Sequence, residues 1–301
     1  MPPSIAAGPD ASVSQEDWPA GPGPPTSGPA APCASCGVAL AGPYCAQCGE
    51  KRLDRHDYAF GHWLEHTVDA FTHFDLKVPR GLWGLLRRPG AMTADVLAGR
   101  RVRWPKPFQA FLIANVVYYV IASTIGLNTF ETPMRYQLET FYGETVRAWS
   151  TVKAAALGLT AAEYAERFDV LAHTLQKTLV VFFVPVFAAA FWVLHPLRRR
   201  YALEHVTVGV HFTTLVLLLF PLSVPLFVAA VVLGVPGSED EIATLGSAIL
   251  IAAYAAAFCR RVYGDGWLGA ALKGAALPLV FYAALILLYR PLLFALITVL
   301  L

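Results

Sequence analysis

Charge is what this 301-residue chain has least of: Asp, Glu, Lys and Arg make up 15% of it, and hydrophobic residues 56%. That balance lies outside the usual range of soluble domains and points to an integral membrane protein. No basic residue precedes Lys51, and residues 1–32 hold nine prolines but no apolar run. A cleaved signal peptide needs a positive start and an apolar core, so none is expected. No Asp or Glu falls at midplane depth in the apolar runs, which weakens an ion-coupled transporter. No basic side chain lies between Cys33 and Cys48, and the net charge is only +2, so no nucleic-acid partner is expected.

What is present divides the chain by composition. Residues 1–32, rich in Pro, Gly, Ala and Ser, cannot bury enough apolar surface to offset ordering entropy and read as a disordered tail. Residues 33–50 carry the paired cysteines, and 56–107 form a juxtamembrane belt of amphipathic and basic segments. Residues 108–301 are the membrane domain, with apolar runs at about 108–127, 178–195, 206–233, 243–259 and 274–300. A helix needs roughly 20 apolar residues to cross a bilayer, so about five spans are expected. Pro221 and Pro225 should kink the third without dividing it. Arg290-Pro291 should interrupt the fifth, with Arg290 reaching the interface and Leu292 to Leu301 lying along it.

Arginine and lysine set the expected orientation. Eight basic residues and one acid, Asp95, lie between Lys77 and Lys106; Arg198 to Arg200 follow the second run, and Arg260, Arg261 and Lys273 follow the fourth. The loop GVPGSEDEI carries no basic residue. The amino terminus is therefore expected in the cytoplasm of a cell with an inner membrane, and the carboxyl terminus outside. Residues 128–177 then form an extracytoplasmic loop, in which Thr160-Ala-Ala-Glu163 reads as a capping box for an amphipathic helix running into the second span.

Cys33, Cys36, Cys45 and Cys48 follow the spacing C-x2-C-x8-C-x2-C, each pair closed by a glycine, Gly37 or Gly49. In reducing cytosol this pattern reads as a metal site. Four thiolates leave no open position, so one structural zinc per chain is expected in a small zinc ribbon. The module is too short for an apolar core, so metal affinity, about 10–16 kcal/mol in comparable peptides, would supply most of its folding energy. Cys259 reads as a buried apolar residue.

A second cluster is less sharply drawn. In GHWLEHTVDAFTHFD, His62, His66, Asp69 and His73 share one side of a helix, with aromatic residues opposite. Around the start of the third span stand Glu204, His205 and His211. Together these seven form a candidate second metal site, set against the plainer reading of a solvated polar face and a bonded core histidine. The belt's arginines, Arg87, Arg88, Arg100, Arg101 and Arg103, are expected to contact anionic headgroups, each contributing about 1 kcal/mol.

The CxxCG…YCxxCGE ribbon, FDLKVPRGLWGLLRRPG, AGRRVRWPKPFQAFLI, YALEHVTVGVHF and YAAAFCRRVYGDGW form an ordered set over about residues 33–290. As a set they resemble the bacterial membrane family catalogued as domain of unknown function 3667. The resemblance implies a cytosolic zinc ribbon followed by transmembrane helices, with marks at Pro89 and Gly90, Gly99 and Arg101, and Glu204, His205 and His211. A threonine would be expected near Gly81, where this chain departs. No activity comes with the resemblance. The sequence therefore reads as an all-α integral membrane protein with a small amino-terminal zinc ribbon. It is expected to be a non-enzymatic docking or scaffold protein with an unidentified protein partner. The alternative is a metal-dependent interface enzyme or small-solute transporter built on the His/Asp/Glu cluster.

Overall fold

A computed structural model describes residues 31–52, 76–127, 129–196 and 201–301. The proline-rich tail up to residue 30, the stretch bearing His62, His66, Asp69 and His73, and Arg198 to Arg200 lie outside the described residues. Among the described residues the fold is helical, with only two isolated β-bridges, Pro32 to Ala39 and Tyr44 to Lys51, in the cysteine module.

Two short helices precede the spans: α1 (Val78–Arg87), which buries Val78, Gly81 and Leu85, and α2 (Ala91–Leu97). Between them Gly90 takes a φ of 82°, and a Cβ there would meet the Phe258 carbonyl oxygen and Val262 Cγ2, each at 3.0 Å. Only glycine satisfies both the left-handed turn and the close approach. The first span is α3 (Pro107–Ile125), opened by proline, which suits a position with no intrahelical N–H partner, and closed by Gly126 at φ 70°.

Beyond α3 the chain forms α4 (Met134–Leu138), α5 (Gly143–Ala156) and α6 (Ala161–Leu179). Thr160 and Glu163 make the expected capping box, and α6 buries Tyr164 and Phe168. A 3-10 turn at Val180–Phe182 joins α6 to α7 (Phe183–Leu194). Pro185, lacking an N–H, removes one helical bond here, and the tighter turn accommodates the loss. The third span, α8 (Ala202–Val232), is one helix through Pro221 and Pro225. It is followed by α9 (Glu239–Tyr263), α10 (Trp267–Ala284) and α11 (Arg290–Leu300).

The last run differs from expectation. Instead of stopping at Arg290-Pro291, the helix passes through a π-turn at Leu285–Tyr289 and continues to Leu300, burying Leu293 and Ile297. The wider turn absorbs the missing Pro291 N–H, and the Arg290 carbonyl accepts a hydrogen bond from Gln137 Nε2 at 3.2 Å. Five helical stretches are long and apolar enough to cross a membrane: Pro107–Ile125, Ala161–Leu194, Ala202–Val232, Glu239–Tyr263 and Trp267–Leu300. Their outward faces carry Val116, Val120, Val193, Leu245, Ile249 and Leu279, all exposed. Helices that are apolar on both faces belong in lipid.

The core is aromatic. Phe130 is buried between spans, with ring centroids 5.5 to 6.1 Å from those of Tyr118, Phe183, Phe220, Phe281 and Tyr289. Toward the end that carries α1 and α2, Phe187 and Phe191 pack on Phe212, which in turn meets Phe258.

Candidate metal centre and the adjoining belt

The two cysteine knuckles repeat each other at an interval of twelve residues. Cys33 N–H donates to the Val38 carbonyl and Cys45 N–H to that of Glu50; Gly37 N–H donates to Cys33 and Gly49 N–H to Cys45. Gly37 and Gly49 have φ of 78° and 74°, the left-handed values a tight knuckle requires. Facing knuckles bring Cys33 Sγ within 3.5 Å of Cys48 Sγ, and Cys36 Sγ within 3.5 Å of Cys45 Sγ. All four sulfurs lie within 4.8 Å of one another. A tetrahedron of sulfurs around zinc at 2.3 Å has edges of about 3.8 Å, so the cluster has the dimensions to hold such an ion.

Its electrostatics call for a cation. Backbone N–H donors, those of Cys36 onto Cys33 and of Cys48 onto Cys45, lower both thiols, Cys45 to about 6. Cys48 accepts the Glu50 N–H, yet burial and the neighbouring thiols together push it up to about 12. Amides are aimed at the sulfurs, but four thiolates this close repel one another unless a metal ion lies between them.

The module is fixed to the belt by a residue with no place in the cysteine pattern. Glu50 is buried, and its Oε2 accepts from Ser35 Oγ at 2.6 Å, from Arg101 N–H at 2.9 Å and from Val102 N–H at 3.1 Å. One carboxylate thus joins the first knuckle, the second knuckle and the turn before α3.

That turn is built on Asp95. Its Oδ1 accepts from Arg100 Nε and Nη2 at 2.9 and 2.6 Å, while Oδ2 accepts from Trp104 Nε1 at 2.9 Å and pairs with Arg103. Burial works to raise the Asp95 carboxyl, and the Arg103, Arg100 and Trp104 donors outweigh it, holding it below the usual carboxylate value. Beneath it, α2 plugs into the helices. Thr93 Oγ1 lies 3.0 Å from His211 Nδ1, both residues being fully buried, and Arg261 donates to the Pro89 carbonyl at 2.7 Å. His211 thus meets a hydroxyl of the belt. His205 is buried and Glu204 half-buried; among the described residues these two and His211 form no ligand group of metal-binding dimensions. The other four members of the candidate second site lie outside the described residues.

A different cluster escaped the sequence reading. His195, the C-cap of α7, places Nε2 2.7 Å from Asp265 Oδ2, and Lys273 Nζ lies 3.0 and 2.9 Å from the two Asp265 oxygens. The His195 ring stacks on Tyr263 at 3.7 Å, and Cys259 Sγ lies within 4.8 Å of the His195 and Asp265 ligand atoms. Burial lowers His195 despite the Asp265 bond that works to raise it; burial would raise Asp265, but His195 and Lys273 hold it down. Lys273 already neutralises the carboxylate, so the group serves as a buried polar clamp at the α9–α10 turn. The bonded pairs are separated by 70 and 8 residues, so no local pattern marked it.

The fold and the sites define a multi-pass α-helical membrane protein with a four-cysteine module that can hold a metal ion. Residues 75–119, which run from the belt into α3, match the family described as "Protein of unknown function (DUF3667)". The five apolar helices and the cysteine cluster agree with the resemblance read from the sequence. No curated protein and no solved structure matches the chain. Two marks of that resemblance lie where α2 meets the spans, Gly90 against Phe258 and His211 on Thr93, while the Arg101 backbone N–H binds Glu50 of the cysteine module. At Gly81 the departure has a physical counterpart, since a Cβ there would stand 2.6 Å from Pro105 Cγ.

Proposed function

We propose that this is a non-enzymatic scaffold of the bacterial inner membrane, in which a structural zinc ribbon is held against the cytoplasmic belt to present a fixed surface to a protein partner. The amino end lies in the cytoplasm and the carboxyl end outside, following the arginine-rich loops. Zinc is the metal that four thiolates in a closed tetrahedral set select, and a closed set performs no chemistry at the metal.

The observation that carries this reading is the Glu50 clamp. A ribbon swinging on a tether would have no need for a buried carboxylate bonded to Arg101 and Val102 of the turn before α3. Held in this way, the module turns Val38 and Tyr44 to solvent, 44% and 60% exposed. Exposed apolar and aromatic groups on a rigid support are the usual anchors of a protein contact.

A photo-crosslinking residue at position 44, introduced into the full chain in cells, tests the proposal. A discrete adduct is expected. It should vanish when Cys33 and Cys36 are both replaced by serine, and weaken in Glu50→Gln, which keeps its zinc but loosens the clamp. An adduct of unchanged intensity in both variants would refute docking through the ribbon. Modification of Cys33 in intact cells by a membrane-impermeant thiol reagent would refute the orientation.

A further inference from the structure

Between α1, α2 and the turn at Arg103 and Trp104 lies a half-open pocket of about 270 Å³. Arg80, Arg88 and Arg103 line it, with Asp95, Trp104 and Gly84. Gly84 lets the Trp104 ring close one wall, its nearest ring atom 3.2 Å from where a Cβ would stand. We propose that this pocket binds a phosphate group.

Three guanidinium groups face one carboxylate, and that carboxylate is already saturated. Both Asp95 oxygens are taken by Arg100, Arg103 and Trp104, and Arg100, which is not part of the lining, supplies a neutralising charge from outside. Arg80 and Arg88, both exposed, make no ion pair among the described residues. Among the described residues the pocket therefore carries an excess of positive charge, with the Arg80 and Arg88 forks paired to no carboxylate. A carboxylate ligand offers two oxygens and is satisfied by one guanidinium; a phosphate offers more acceptor oxygens in a tetrahedral array and suits several forks at once.

The surroundings fit a phosphate at a membrane surface. On α1, Trp83 is 60% exposed with Arg87 stacked over it at 5.7 Å, and Leu76 just before the helix is 85% exposed. Indole and arginine side by side are what the headgroup layer favours. The structure also sorts the arginines that composition alone places together. Arg88 and Arg103 line the pocket with Arg80, which was not among the expected headgroup contacts. Arg100 supports Asp95, the backbone N–H of Arg101 serves Glu50, and Arg87 lies on Trp83. The ligand's phosphate comes either from an anionic lipid headgroup or from a soluble phosphomonoester. The shared chemistry is the same, and the pocket does not depend on the ribbon's partner.

Native mass spectrometry of the full chain in neutral detergent tests this, with dioctanoyl phosphatidic acid, dioctanoyl phosphatidylcholine and glycerol 3-phosphate as probes. Wild type is expected to bind one phosphatidic acid, whose monoester leaves three oxygens free, in preference to phosphatidylcholine, a diester. The double variants Arg80→Gln/Arg88→Gln and Arg80→Lys/Arg88→Lys should both weaken that binding about tenfold or more, since lysine keeps the charge but not the fork. Arg87 lies on Trp83 outside the lining, so Arg87→Gln should weaken it far less. Retained zinc and an unaltered unfolding temperature show that the variants are folded. Binding of the lipid but not glycerol 3-phosphate assigns the site to a headgroup; binding of both assigns it to the phosphate group from either source. Full binding by the double lysine variant, or equal loss in Arg87→Gln, would reduce the effect to diffuse surface charge and overturn the proposal.

Discussion

His195 shows what a single residue can contribute without any signature in its neighbourhood. It sits at the end of α7, buried, stacked on Tyr263 and bonded to Asp265, which Lys273 also holds. A carboxylate only accepts, so the neutral ring keeps its proton on Nε2. Burial holds its folded value below the ordinary 6.5. With a folded value below the unfolded one, the unfolded chain takes up the proton first, so the stabilisation is complete above about pH 6.5 and is lost as pH falls toward the folded value. Asp265 and Asp95, both depressed from 3.8, lose theirs only at lower pH. Chemical unfolding in detergent should therefore show stability declining as pH falls below about 6.5. His195→Gln should reduce that slope by up to about 1.4 kcal/mol per pH unit, the linkage of one proton. An unchanged slope would mean that His195 is not buried neutral. The four-cysteine cluster was legible because paired C-x2-C knuckles obey a local spacing. Glu50, His195 and Asp265 were not, because each acquires its role from partners that only the fold brings near.

At the scale of helices, hydropathy located five spans but not their ends. The first turn of α9 is Glu239, Asp240 and Glu241, charged residues that an apolar count discards. Ser238 and Glu241 nevertheless form a capping box, a pattern visible in the sequence and the proper marker of that start. Nor does hydropathy show where two helices touch, because lipid is as apolar as a helix face. Close approach is marked by small residues instead. Gly274 on α10 is such a place: a Cβ there would stand 2.7 Å from the Ala252 carbonyl oxygen and 2.8 Å from Ala256 Cβ, both on α9. Gly209 on α8 meets Val184 O at 2.5 Å in the same way. Gly274→Ala should force α9 and α10 apart and cost about 1–3 kcal/mol. Gly246→Ala, on α9 with nothing within 4 Å, should be neutral or mildly stabilising, since alanine is the better helix former. Unfolding temperatures in detergent measure both; a Gly274→Ala protein as stable as wild type would show that the two helices do not cross this closely.

At the scale of the whole molecule the question is how far the ribbon and the membrane domain depend on each other. The spans and the two short helices before them share one hydrophobic core running from Leu85 to Ile297, and no residue of the cysteine module belongs to it. The module instead meets the belt through the Glu50 carboxylate, whose other partner, Ser35, lies between Cys33 and Cys36. This predicts a one-way dependence. Chelation should unfold residues 31–52, because a module without an apolar core is held by its metal. As Ser35 and Glu50 separate, the Arg101 and Val102 amides lose their acceptor and should exchange with solvent faster. The effect should stop there, because Asp95 fixes the turn through Arg100, Arg103 and Trp104, and Thr93 and Pro89 bind α2 to α8 and α9 independently of the ribbon. Hydrogen exchange on the detergent-solubilised chain, before and after chelation, reads each part separately. Protection should fall in the module and at residues 101 and 102, and stay unchanged in α2 and in the spans. If protection falls in α2 as well, the metal holds the belt in place and the turn is not self-supporting. If the module stays protected, the four thiolates are not what folds it, and a structural role for zinc is lost along with the rigid surface the scaffold reading requires.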